Sequence, residues 1–202
     1  MRDTVKKNLK EEVASYKRQR ILEEACHLFF ENGYERTTLD SVADCLDVTK
    51  PFIYSYYANK GEILFDICQT GIQLSLKALN DALALEGTAL SRLKALVESV
   101  SRIVIEEQEY IVVYLREEKN LEPQKINDIR QLRNEFDHKL AELLAEGVTS
   151  GEFDVENTLL TAISIGGLIS WTANWYNPSG KWSVTEVVMH AIQLVMSMVK
   201  IR

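Results

Sequence analysis

Residues that break or staple a chain are scarce here: 202 residues hold only 3 Pro, 3 Cys and 9 Gly. So few breakers cannot supply the turns that many short strands need, which excludes an all-β sandwich or barrel. Cys26, Cys45 and Cys68 form no CxxC and have no His pair beside them, so neither a disulfide framework nor a zinc site is indicated. They read as reduced core thiols. HExxH, GxSxG, GxGxxG and Walker sequences are missing, which leaves no catalytic, metal or cofactor residue to nominate. Glu135 and His138 make one E-x-x-H pair, where a di-metal carboxylate site needs two. Residues 157–180 carry no Asp, Glu, Lys or Arg, yet Asn157, Thr161, Ser164, Ser170 and Asn174 make them too polar for a lone lipid-facing helix. No membrane partner is expected. Residues 1–12 are charged and lack the apolar run of a signal peptide, so a cytoplasmic location is expected.

What the chain does have is 46% apolar and 26% charged residues, with Leu, Ile, Val, Ala, Glu and Lys filling long stretches between the rare breakers. That composition favours an all-α protein of one or two domains. The net charge of -7 is unevenly placed. Residues 1–60 carry ten Lys and Arg against ten Asp and Glu, so the entire acidic excess falls on residues 61–202. A surface that meets nucleic acid therefore belongs to the first sixty residues.

Periodicity places about nine helices. The first, over 15–32, has an apolar stripe of Ile21, Ala25, Leu28 and Phe29 and ends at Gly33, which suits the left-handed position. Thr38 is the expected N-cap of a second helix burying Leu39, Val42, Ala43 and Leu46. A third runs from Thr49 to about Tyr57 with Pro51 in its first turn. Two short helices joined by a turn of about four residues form a helix-turn-helix. Asn59 and Glu62 open a fourth helix over 60–85, closed by Gly87. Further helices are expected over 88–107, 109–118, 123–145, 155–175 and 183–199, with breaks at Pro123, Gly147, Gly151 and Pro178-Gly180.

The run TLDSVADCLDVTKPFIYSYYANKGEIL, residues 38–64, resembles the DNA-binding signature of the TetR family of transcriptional repressors. The matching positions are Thr38, Val42, Ala43, Val48-Thr49, Ile53-Tyr54, Tyr57, Lys60 and Ile63-Leu64, preceded by ILEEACHLFFENGYERTT at residues 21–38. Asp47 stands where many members have Gly, and Asp tolerates the left-handed region better than most residues. The resemblance implies a DNA-binding unit at 1–60 and a ligand-binding and dimerisation unit at 61–202, acting on a palindromic double-stranded operator. Thr38, Thr49, Lys50, Pro51, Tyr54, Ser55 and Lys60 are the candidate DNA contacts. Lys50 suits guanine O6/N7, Thr49 and Pro51 a thymine methyl, and Tyr54 a phosphate by family likeness. Lys60 at a helix N-terminus favours an anion. Arg2, Lys6, Lys7 and Lys10 read equally as a phosphate-following arm or a frayed terminus.

For the second unit, Tyr110, Tyr114, Arg130, Arg133, Phe136, Trp171 and Trp175 are the candidate effector-site residues, aromatics for walls and arginines for an anionic group. Arg133 and Asp137 are also spaced for a helix salt bridge. Ala162, Gly166 and Ser170 recur every four residues and, with Val187, Ala191, Leu194, Val195 and Met198, make a candidate homodimer seam. The segment WTANWYNPSGKWS, residues 171–183, looks like that of TetR-family regulators responsive to acyl-CoA thioesters. The matching residues are Trp175, Tyr176, Pro178, Gly180 and Ser183; the alternative is that they shape a helix connection and the tryptophans pack a dimer. The remaining alternatives are a TetR-type regulator of another hydrophobic effector, or a helical enzyme or interaction module.

Overall fold

A computed structural model describes residues 2–199, with side chains from Lys10 onward. Its regular structure is helical throughout: α1 Arg2–Asn32, α2 Leu39–Cys45, α3 Lys50–Tyr54, α4 Lys60–Leu83, α5 Ala89–Glu106, α6 Gln108–Glu117, α7 Pro123–Thr149, α8 Thr158–Trp175 and α9 Val184–Met198. A 3₁₀ turn, Glu118–Asn120, precedes α7. Among the described residues no helix is long and apolar enough to cross a membrane.

The capping chemistry sets most boundaries. Thr38 accepts from the Ser41 amide while Ser41 Oγ accepts from the Thr38 amide, a closed box at the start of α2. Asn59, Thr88, Asn157 and Ser183 cap α4, α5, α8 and α9 through their side chains, each worth about 1 kcal/mol. Gly33 takes φ +82° and its amide closes on Phe29 O at 3.0 Å, ending α1 as its position requires. Asp47 sits at φ 52°, the one non-glycine residue in the left-handed region among the described residues, so the α2–α3 turn keeps its geometry without glycine.

Four boundaries differ from expectation by three residues or more; one is α8, which begins at Thr158 behind its cap Asn157 and not at residue 155. Helix α1 begins at Arg2, not at residue 15; the side chains of Arg2, Lys6 and Lys7 lie outside the described residues, so the arm reading of them goes no further. Helix α3 stops at Tyr54 because Ser55 Oγ turns back onto Phe52 O at 2.6 Å. Helix α7 runs through Gly147, which breaks nothing: a Cβ there would lie 2.1 Å from the Phe153 ring, so the glycine admits that buried ring against the helix.

One core cluster joins α1, α2, α3 and the first half of α4, from Ile21 through Ile53 and Tyr57 to Cys68, and takes in Tyr110, Val113 and Tyr114 of α6 and Ile129 of α7. A second fills the space between the rest of α4 and helices α5, α7, α8 and α9. Helix α4 therefore belongs to both cores, and α6 leans on α1. Cys26 and Cys68 are buried, and burial raises both thiol pKa values; Cys45 is exposed, contrary to its expected core position.

Candidate functional site

The candidate recognition surface starts with α3. Ile53 and Tyr57 are buried, Phe52 is half-buried, and Thr49, Lys50, Pro51, Tyr54 and Ser55 are exposed on the outward side. Thr49 is the N-cap of α3 without a side-chain capping bond, so its hydroxyl is not committed there. Lys50 is committed, however: its ammonium pairs with Asp40 on α2, and that hydrogen bond raises its pKa. A duplex must compete with Asp40 for this group.

Two polar clusters that sequence reasoning missed brace the recognition unit, one behind the end of α3 and one at the α1–α2 connection. Arg18 of α1 donates to Tyr56 O at 2.6 Å and Asp66 at 2.7 Å and lies 4.0 Å from the Tyr57 ring centroid, while Tyr57 donates to Asp66 at 3.0 Å. This links α1, the end of α3 and α4. Thr37, buried, donates to Leu28 O and Gly33 O at 3.1 and 3.0 Å. Lys60 is placed differently from its expected role: Nζ donates to the carbonyls of Tyr34, Glu35 and Thr37 and sits 4.2 Å from the Tyr34 ring centroid. Its charge ties the α1–α2 connection to α4 and is not free for phosphate in this state. Thr38, likewise, uses its hydroxyl as the α2 cap.

A cavity of about 480 Å³ lies between α4, α5, α6, α7 and α8. Three of the expected effector residues line it, Tyr114, Arg133 and Phe136. The other four do not. Tyr110 packs in the first core, Arg130 is exposed on α7 outside the lining, and Trp171 and Trp175 face away from the cavity, 64% and 47% exposed. Gly166 and Ser170, assigned to the seam, line the cavity instead, and Ala162 is buried within the subunit. Gly71, Ile72, Ser75, Val100, Val104, Ile111, Asn134, Asp137, Ile163 and Gly167 complete most of the wall. The i,i+4 pair expected on α7 is absent: Arg133 donates to Tyr114 Oη at 3.1 Å and lies 3.8 Å from Glu118. Burial raises the Asp137 pKa, opposed by Arg133 and His138.

The tryptophans belong to a different feature. Trp171, Trp175, Trp182, Met189, His190 and Leu194 line an open groove of about 920 Å³ between α8 and α9. Trp175 and Trp182 meet edge to face at 6.4 Å. Leu160 and Ile163 extend the exposed apolar side of α8, at 61% and 47% exposure. Of the seam candidates on α9, Leu194 is exposed, whereas Val187, Ala191 and Val195 are buried and Met198 packs on the second core. Within this chain the small-residue face of α8 turns inward and the aromatic face outward. Residues 175–183 build the α8–α9 corner. Gln108 donates to Ala173 O and Tyr176 O at 2.7 and 2.8 Å, the Gly180 amide closes on Asn177 O at 2.8 Å, and Ser183 with Glu186 caps α9.

Helix α6 connects cavity and recognition unit. Ile111, Tyr114 and Leu115 line the cavity. The next residue, Arg116, donates to Phe29 O and, at 3.0 Å, to Phe30 O at the end of α1. Glu117, only 7% exposed, holds Arg116 Nε at 2.9 Å and accepts from Asn120 at 2.8 Å. His27 of α1 meets Glu109 of α6 at 2.9 Å, which raises the His27 pKa.

Comparison with known proteins agrees with this architecture. Residues 21–67 match the model of bacterial regulatory proteins of the tetR family, and residues 86–199 match the tetracyclin repressor-like C-terminal domain. The HTH-type transcriptional repressor KstR2 of Mycolicibacterium smegmatis is 21% identical over 182 residues, covering 89% of each chain. A regulatory protein in the tetR family from Rhodococcus RHA1 superposes with TM-score 0.86 at 22% identity, over 92% of this chain and 98% of that one. AibR, solved in complex with isovaleryl coenzyme A and operator DNA, gives TM-score 0.79 at 21% identity over 92% and 100% of the chains. With one family model over the helix-turn-helix and the other over helices α5 to α9, the chain belongs to the TetR family of bacterial regulatory proteins.

Proposed function

We propose that this regulator acts as a cytoplasmic homodimeric repressor that releases its operator when a coenzyme A thioester enters the cavity. The observation that carries this reading is the single helix, α6, that both lines the cavity and grips the end of α1 through Arg116. One α3 touches too few bases for useful specificity against a genome, so two copies related by two-fold symmetry must bind together. Their recognition helices then lie about 34 to 36 Å apart on the duplex. Thr49, Lys50, Pro51, Tyr54 and Ser55 are the base- and phosphate-facing groups.

Size and chemistry of the cavity support the thioester. At about 30 Å³ per water-sized group, 480 Å³ takes about sixteen heavy atoms: an acyl chain and the start of the pantetheine arm, with the nucleotide left outside. The wall is mostly apolar, and Arg130 stands exposed one turn before Arg133 on α7 for the phosphates. AibR, the fold relative solved with isovaleryl coenzyme A, lends the reading support. Release follows only if the thioester binds the DNA-incompetent arrangement of the two α3 helices more tightly than the competent one. A gel-shift on the DNA upstream of the protein's own coding region, titrated with saturated, branched and aromatic CoA thioesters, tests this. Dissociation by some thioesters and not by free CoA is the expected result. Retention of the complex across the whole panel refutes the thioester and leaves another hydrophobic effector to be found.

A further inference from the structure

The Asp137 carboxylate stands in the wall of a cavity that is otherwise mostly apolar, beside Phe136 of its own helix and Gly166 of α8. A Cβ on Gly166 would lie 3.9 Å from Asp137 Oδ1 and 4.0 Å from the Phe136 ring. Among the described residues Asp137 makes no hydrogen bond and no ion pair. The cation that its spacing selects, Arg133, is turned to Tyr114 Oη at 3.1 Å and to Glu118 at 3.8 Å. The hydroxyls of Ser75 and Ser170 donate to backbone carbonyls of their own helices, Gly71 O and Gly167 O, both at 3.3 Å. Facing the cavity they offer lone pairs. The wall has donors in Arg133 and Asn134, but among the described residues none of them is bonded to Asp137, which leaves its carboxylate as an acceptor open to an occupant.

Asp137 is half-exposed, so solvent reaches its carboxylate in the unliganded chain. A purely aliphatic occupant expels that water and leaves the carboxylate unpaired, which costs binding energy. An occupant with an O–H or N–H at that point replaces the water by a charge-assisted hydrogen bond. Burial already raises the Asp137 pKa, the direction expected of a carboxylate short of partners.

We infer that Asp137 selects the effector, and that the buried part of that effector carries a hydrogen-bond donor, a hydroxyl, instead of being a plain saturated acyl chain. The coenzyme A part of this statement rests on the function proposed above; the donor part does not. The discrimination works as differential affinity: a ligand that covers the carboxylate without pairing it is disfavoured against one that brings the donor.

The full-length protein is titrated with octanoyl-CoA, 3-hydroxyoctanoyl-CoA and 8-hydroxyoctanoyl-CoA, by calorimetry and by release of bound operator. The native protein is expected to bind one hydroxylated thioester at least about tenfold more tightly than octanoyl-CoA. Asp137→Leu is expected to lose or reverse that preference, and Asp137→Asn, which keeps an acceptor oxygen, to retain part of it. Thermal melts of both variants check that they fold. Octanoyl-CoA binding as tightly as both hydroxylated forms, or a preference that survives in Asp137→Leu, overturns the inference. A second pair of probes, 1-octanol and its methyl ether, differs only in the donor and needs no coenzyme A. If no thioester binds but 1-octanol outcompetes the ether in the native protein and not in Asp137→Leu, the thioester reading fails and the role of Asp137 stands. Equal binding of alcohol and ether in both proteins overturns it.

Discussion

Replacing Trp171 by Ala separates the two roles that an exposed tryptophan on α8 can have. Trp171 is 64% exposed and lies with Trp175, Trp182, Met189 and Leu194 on the open α8–α9 groove, outside the cavity. We propose that this outward face is where two copies of the chain meet; an aromatic side chain buries about 150 to 250 Å² when covered, so a second copy seated there would take roughly 150 Å² of this one out of water. At about 25 cal/mol/Å² that is about 4 kcal/mol per protomer, and two-fold symmetry counts it twice, for about 8 kcal/mol. Alanine retains some contact, and the neighbouring side chains close part of the gap. Halving the figure leaves about 4 kcal/mol, or a dimer dissociation constant weakened about a thousandfold. Sedimentation equilibrium across a wide concentration range reads this directly, and the gel-shift should lose affinity in parallel because one recognition helix is insufficient. Cavity binding of the effector by the monomer should persist. An unchanged dimer constant, or intact dimers with lost effector response, refutes the assignment of this face to self-association and returns Trp171 to the ligand.

Four further outcomes follow from the geometry. Lys50→Ala should relax base preference and make the salt dependence of DNA binding shallower by about one unit, whereas Asp40→Asn frees the ammonium and should strengthen binding to all sequences; filter-binding at several salt concentrations checks both. Gly147→Ala should lower Tm by several degrees, since a Cβ 2.1 Å from the Phe153 ring costs about 1 to 3 kcal/mol or more in overpacking and outweighs the roughly 1 kcal/mol gained in helix propensity. Arg116→Ala removes the donor to Phe29 O and Phe30 O and leaves Glu117 without its cation; operator binding should survive while effector-driven release is blunted, as read by the thioester titration. The His27–Glu109 hydrogen bond raises the His27 pKa above its ordinary 6.5, so its contribution to stability is present below that value and lost as pH rises through the folded-state value. Native melts should therefore show a fall in Tm across that window that His27→Gln flattens.

The helices and their caps were legible in the sequence because local chemistry makes them. Thr38 and Asn59, expected as caps, each carry a side-chain oxygen that reaches an amide three residues on, and Thr88 and Ser183, expected only as helix starts, do the same. The α3 surface was legible for the same reason, since an exposed Thr49-Lys50-Pro51 and a buried Ile53 follow from one short helical period. Where a charge spends itself was not legible. Lys60 reads as a free cation until the fold brings the carbonyls of Tyr34, Glu35 and Thr37 to it, and Arg133 reads as the partner of Asp137 until Tyr114 and Glu118 take it.

The phase of α8 shows where sequence stops. Its residues alternate small and aromatic sides with the right period, and a single helix cannot say which side faces its own subunit. Packing decides it: the small side, Ala162, Gly166 and Ser170, allows α7 and the cavity wall to approach, and the bulky side, Leu160, Trp171 and Trp175, is left outward. Sequence by itself determined the helical class, the caps, the helix-turn-helix and the family, all set by contacts within a few residues. Tertiary structure alone decided the cavity, the unpaired Asp137 and the grip of Arg116 on α1, because each depends on groups tens of residues apart that only the folded core brings together.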